Sequence, residues 1–154
     1  MTTIFVKNLR RCFNMDFNLD DSVGYLINIV AGKLKNELNR RFTAFDITPE
    51  QWAVLNRLWE KDGVTQKDLA ERTFKDQPNI GRILDKLEKK GLIRRCADTE
   101  DRRVIIVFIT KEGQELKKEL IPIAAEALNL VQKDISEEEI NVLETVLKRI
   151  LRNF

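Results

Sequence analysis

Asn79-Ile80-Gly81-Arg82-Ile83-Leu84-Asp85-Lys86-Leu87-Glu88-Lys89-Lys90-Gly91-Leu92-Ile93-Arg94-Arg95 is the stretch on which the fold turns. Ile80, Ile83, Leu84 and Leu87 stand at i, i+3, i+4 and i+7, so they form one apolar stripe along a helix. Gly91 follows directly, where a residue free to take a left-handed conformation ends a helix. With that stripe turned inward, helical geometry places Asn79, Gly81, Arg82, Lys86 and Lys89 on the outer surface or its margins. This face is polar and basic. Asp85 is its acidic exception, with Lys89 four residues on as a local partner. Asp76 is the better capping side chain for this helix, but Pro78 disfavours a helical Gln77 and argues for Gln77 as the cap.

Downstream, Leu92 to Ala97 and Val104 to Ile109 are β-favouring runs separated by the polar Asp98-Thr99-Glu100-Asp101-Arg102-Arg103, which predicts a hairpin with a charged tip. Upstream, Thr65 is the cap of a helix of about two turns, with Asp68 able to reach back to its amide. Leu69 and Ala70 give that helix a short apolar face before the chain turns near Phe74 to Asp76. Thr48-Pro49-Glu50-Gln51 combines a cap, a proline at the first helical position and a capping-box Gln. Trp52, Leu55, Leu58 and Trp59 form the buried face of the helix it opens, and Asp62-Gly63 stops it.

Long helices flank this central part. Val23, Leu26, Ile27, Val30, Leu34, Leu38 and Phe42 keep helical spacing from Asp20 onward. Thr110 caps a further helix carrying Leu116, Leu120, Ile123, Ala127 and Val131, which Pro122 should kink or divide. Ser136-Glu137-Glu138-Glu139 is a capping box that opens a last helix with Ile140, Leu143, Leu147, Ile150 and Leu151 on one side. The chain shows no internal repeat, linker or low-complexity tract. The fold class expected is mainly α with a small β-hairpin wing.

Helix, helix, turn, helix and hairpin in that order let the second of two short helices enter a major groove. Asn suits the bidentate edge of adenine and Arg that of guanine, which makes Asn79 and Arg82 the candidates for reading bases, with Gln77 a third. Lys86 extends the same face. Thr65, Gln66 and Lys67, at the positive end of the preceding helix, suit phosphate positioning. Arg102 and Arg103 at the hairpin tip can enter an adjacent minor groove, or one of them can instead hold Asp101. Taken singly, a basic helix face is a solvated face and a charged tip is a hairpin turn. Their succession at the spacing of a wing is what points to nucleic acid.

Composition narrows the alternatives. With 43% apolar and 34% charged residues over 154 positions, the chain can bury one sizeable core. Basic and acidic residues nearly cancel, 27 against 25, so bulk charge does not call for a polyanion. Distribution says more: residues 65–103 hold 11 Lys and Arg against 8 Asp and Glu, and residues 111–154 hold 7 against 9. With no His and only Cys12 and Cys96, common zinc spacings and imidazole catalysis are absent, and neither metal nor cofactor is expected. No nucleophile-base pair or phosphate-binding glycine loop points to an enzyme. No run reaches the ~18 to 20 apolar residues of a membrane span, and the first residues lack a signal's apolar stretch, so a cytoplasmic location is expected. Residues 1–18, with Lys7, Arg10 and Arg11, read as an arm, and Met15 is an alternative start.

Leu69-Ala70-Glu71-Arg72 followed by Asn79 to Arg95 resembles the recognition region of MarR transcription regulators. Asp101 and Arg103 resemble the family's wing signature, ahead of a strand that leads to Thr110 and Gly113. The resemblance runs from about Asp20 to the C-terminus. It implies a MarR-type domain over 19–154, with the winged helix-turn-helix at about 48–110 and dimerisation helices at about 20–45 and 111–154.

It further implies an obligate homodimer on double-stranded DNA carrying an inverted repeat, with recognition helices roughly 34 Å apart. Leu26, Ile27, Leu143, Leu147, Ile150 and Phe154 form an apolar stripe that asks for a partner, though a bundle within one chain would also cover it. Relatives bind aromatic acids in a cleft that Phe42, Trp52 and Trp59 could line here, or these three can serve the core. A repressor released by a small, aromatic or phenolic effector is the expectation. The rival is a winged-helix protein-interaction module without DNA binding, given the low net charge and Asp76 and Asp85 flanking the outer face.

This chain also departs from the family. Pro78 and Gly81 stand where relatives place small hydroxyl residues, so base preference does not carry over. Peroxide-sensing members use a Cys in the first long helix, whereas Cys12 precedes it and Cys96 lies on the wing. Zinc-sensing members need His ligands absent here.

Overall fold

A computed structural model describes residues 18–154. The arm, Cys12 and the alternative start at Met15 lie outside the described residues, Asn18 apart. Compact packing divides the chain between Asn36 and Glu37, inside its first long helix. That helix, α1 (Val23–Phe42), follows a 3-10 turn at Leu19–Asp21 whose cap is Asn18. In its first half Val23, Leu26, Ile27 and Val30 are exposed.

The second unit begins with the end of α1, a 3-10 turn at Thr43–Phe45, and then α2 (Pro49–Glu60). Thr48 and Gln51 close the expected capping box, with amide contacts of 3.3 and 3.1 Å. After α2 the chain forms β1 (Val64–Thr65), α3 (Gln66–Arg72) and α4 (Gln77–Lys89). The hairpin follows as β2 (Ile93–Ala97) and β3 (Ile105–Ile109). Last come α5 (Lys111–Glu115), α6 (Lys117–Val131) and α7 (Glu137–Leu151).

The sheet has three antiparallel strands in the order β1-β3-β2. Val64 pairs with Val107, and the hairpin register sets Ile93 against Ile109 and Arg95 against Val107. Sequence reading found only the hairpin, because two residues are too few to show an alternation. The core is one cluster in which Val54, Leu55 and Leu58 of α2 meet Leu69 of α3, Ile80, Leu84 and Leu87 of α4, Val107 of β3 and Leu120 of α6.

One open choice is decided and two local expectations need correction. Asp76, not Gln77, caps α4: its Oδ1 accepts from the Asn79 amide at 2.7 Å. Pro78 is tolerated in the first turn because an N–H there would have no helical acceptor. Asp85 does not pair with Lys89 but with Arg95, at 2.7 Å. The helix after the wing divides at Leu116 rather than at Pro122, which stays inside α6. The break falls where the Gly113 carbonyl, the acceptor that a continuous helix would offer to the Lys117 amide, receives Trp59 Nε1 at 3.0 Å instead.

Candidate nucleic-acid interface

The second short helix, α4, is built to be held from behind. Ile80, Leu84 and Leu87 are fully buried, while Gln77, Asn79, Arg82 and Lys86 are exposed. Its far end closes with Gly91 at φ 71 and the Leu92 amide donating to the Leu87 carbonyl at 3.0 Å. Asn79 and Arg82 are steadied within the helix. The Asn79 carboxamide donates to Asp76 Oδ2 at 3.2 Å, and Arg82 Nε donates to the Pro78 carbonyl at 3.3 Å.

Asn79, Arg82 and Lys86 share a groove of about 390 Å³ with Thr48 and Gln51 at the start of α2 and Lys75 of the turn. Among the described residues, Lys75, Arg82, Lys86 and Lys89 form no ion pair, and the groove holds three of these cations with Glu50 as its one carboxylate. Lys75 and Thr48 were missed by sequence reading because neither lies on the helix face that the periodicity defines.

At the preceding helix, Gln66 is brought close to α4: a β carbon at Gly81 would lie 3.8 Å from its Nε2. Thr65 is engaged as the cap, its Oγ1 accepting from the Asp68 amide at 3.0 Å. The expected return contact from the Asp68 side chain gives way to an ion pair with Arg72 at 3.6 Å. Lys67 is exposed and lies 4.0 Å from Glu71.

The hairpin tip is ordered by two carboxylates. Asp98 Oδ1 accepts from the Glu100 and Asp101 amides at 2.8 and 3.1 Å. Asp101 holds the Arg103 guanidinium through two bonds of 3.0 Å and accepts its amide as well. The guanidinium keeps the Asp101 carboxyl below the usual carboxylate range. Arg102 is exposed with no carboxylate partner among the described residues. The α4 helix and the hairpin are tied by Arg95, which contacts Glu88 at 2.6 Å and Asp85 at 2.7 Å. Hydrogen bonding by Arg95 holds the Glu88 carboxyl below its ordinary value. On the same strand Arg94 lies 4.3 Å over the Phe108 ring and donates to the thiol of Cys96 at 3.1 Å.

The three aromatics considered for an effector cleft are part of the packing. Phe42 is fully buried, with its ring 5.7 Å from that of Trp52. Trp59 Nε1 donates to the Gly113 carbonyl at 3.0 Å. The Trp52 indole nitrogen is buried with no hydrogen-bond partner among the described residues.

Residues 47–105 match the model of the MarR family. The organic hydroperoxide resistance transcriptional regulator of Bacillus subtilis (strain 168) is 26% identical over 133 residues, covering 86% of this chain and 89% of that one. The S. aureus MepR-DNA complex superposes with a TM-score of 0.81 at 29% identity, over 86% of this chain and 98% of that one. CouR from Rhodococcus jostii RHA1 bound to p-coumaroyl-CoA gives a TM-score of 0.78 at 26% identity, over 86% and 94%. These relatives are transcriptional regulators by name, and one of the similar structures is solved with DNA. No helix among the described residues is long and apolar enough to cross a membrane.

Proposed function

Proceeding from a MarR-family winged domain at residues 47–105, we propose that this DNA-binding regulator is a homodimeric repressor that sits on an inverted repeat and is released by a small effector. The observation that carries the reading is the groove of α4, where Asn79, Arg82 and Lys86 open outward beside Lys75 while Ile80, Leu84 and Leu87 anchor the helix. Asn79 and Arg82 read base edges, with Gln77 at the leading end. Thr65, Gln66 and Lys67 position the backbone, and Arg102 enters the flanking minor groove while Arg103, held by Asp101, orders the wing tip beside it.

The rival protein-interaction reading leaned on Asp76 and Asp85. Asp76 caps α4 and Asp85 pairs with Arg95, so both have roles within the chain that need no protein partner. A second copy of the chain is the proposed cover for the last helix, on which Val142, Leu143, Val146 and Leu151 are exposed.

A gel-shift scan across the DNA upstream of the chain's own gene tests the reading. Retention that falls steeply with salt is expected, because several phosphates are contacted. Charge reversal at Arg82 and Arg102 with dimerisation intact should abolish it. Unchanged retention in that double variant would favour the rival.

A further inference from the structure

The recognition helix and the wing are separate projections joined in sequence only by Lys90-Gly91-Leu92. Both must meet one duplex in fixed register if both contact it. The side chain that spans them is Arg95, on β2 and three-quarters buried. Its Nε and Nη2 donate to Glu88 Oε2 at 3.0 and 2.6 Å, and its backbone amide donates to Glu88 Oε1 at 2.9 Å. The same Nη2 reaches Asp85 Oδ1 at 2.7 Å. Asp85 and Glu88 stand three apart, on one flank of α4. Charge-assisted bonds of this fork geometry fix direction as well as distance.

We propose that Arg95 is a positioning residue that locks the wing against the recognition helix, so that the α4 groove and the wing tip address the same duplex together. This rests on the DNA-binding reading. It also accounts for two carboxylates lying on a helix whose outer face is otherwise basic, since they serve as the anchors of the lock.

The sign of one substitution separates positioning from bulk charge. Replacing both anchors (Asp85→Asn with Glu88→Gln) removes two negative charges close to the bound polyanion, so Coulombic attraction alone would tighten binding. A lost lock weakens it. The probe is a duplex recovered from a random-sequence pool by the unaltered chain. It is read by titration, by hydroxyl-radical protection of its flanks and by methylation interference at its central guanines. The double variant and Arg95→Met are expected to lose flank protection and about tenfold in affinity, with central interference unchanged. Arg95→Lys, which keeps the charge without the fork, is expected to lose flank protection too, and it covers the case in which Arg95→Met fails to fold. Tighter binding by the double variant with flanks still protected would overturn the lock while leaving DNA binding in place. Failure of the unaltered chain to recover any duplex would overturn the DNA-binding reading, and the lock's role with it.

Discussion

A β carbon at Gly113 would collide with the Leu92 carbonyl oxygen and lie 2.9 Å from Cγ1 of Ile109, because the chain passes from sheet to helix here with no space between backbones. Thr110 makes that passage. Its hydroxyl donates to the Gly91 carbonyl at 2.7 Å and accepts from the Gly113 amide at 3.1 Å, while the Gly113 carbonyl receives Trp59. The Thr110-Gly113 spacing is thus the joint between wing and following helix. Gly113→Ala is expected to cost about 3 kcal/mol, since backbone and not a flexible side chain must yield. An unchanged denaturant midpoint would refute that crowding. Phe74 presents the opposite case, a bulky residue at φ 52 whose side chain is 80% exposed. It occupies the left-handed position after α3, where the Lys75 amide closes on the Ala70 carbonyl at 2.9 Å. Glycine there relieves the strain against a smaller loss from a freer unfolded chain, so Phe74→Gly should raise stability by about 0.5 to 1 kcal/mol. Urea titration decides it, and a midpoint that falls would mean that the aromatic ring is supported.

Helix boundaries were legible where both partners of a cap lie within one turn. The Thr48-Gln51 and Ser136-Glu139 boxes form as their spacing predicts. What local spacing could not supply was long-range choice. Lys89 was the nearer base for Asp85, but Arg95 returns to the same flank on β2 and binds two carboxylates at once. Strand β1 exists only because β3 offers it a partner. The same limit applies to the candidate interface: the periodicity of α4 gave its outward residues, whereas Lys75 and Thr48 join the groove only through the packing of α2 on α4. At the end of α1, Glu37 gathers Arg40 at 2.7 Å and Arg41 at 2.6 Å, and Arg41 reaches Glu126 of α6 at 2.9 Å. Hydrogen bonds from Arg40 and then Arg41 lower the Glu37 carboxyl from 4.5 to about 2. A carboxyl lowered in the folded state contributes stability that is fully present above its unfolded value of 4.5 and is lost as pH falls toward 2. Glu37→Gln should therefore lower thermal stability above pH 4.5, flatten its dependence on pH within that window and converge with the parent as pH falls toward 2. A variant whose acid profile coincides with that of the parent would show that the cluster contributes nothing to folding.

At the scale of the molecule, the last helix stands apart from the winged core. No residue of α7 is buried, although Val142, Leu143, Val146 and Leu151 give it an exposed apolar side. A helix that adds so little to its own chain's core can be altered at small cost to that core. Under the proposed dimer the same alteration removes the partner. Leu143→Glu with Val146→Glu is expected to give a single-chain species in sedimentation, with thermal unfolding of the winged unit shifted by only a few degrees. The DNA consequence follows from counting phosphates. A dimer neutralises those of two half-sites, and the slope of log affinity against log salt scales with the number neutralised. The monomeric variant should bind an inverted-repeat duplex with about half the parent's slope, and should protect one half-site at a time. A variant that stays dimeric would place the interface elsewhere, whereas a monomer with the full slope would mean that one chain makes all the contacts and that the palindrome is not read as a pair.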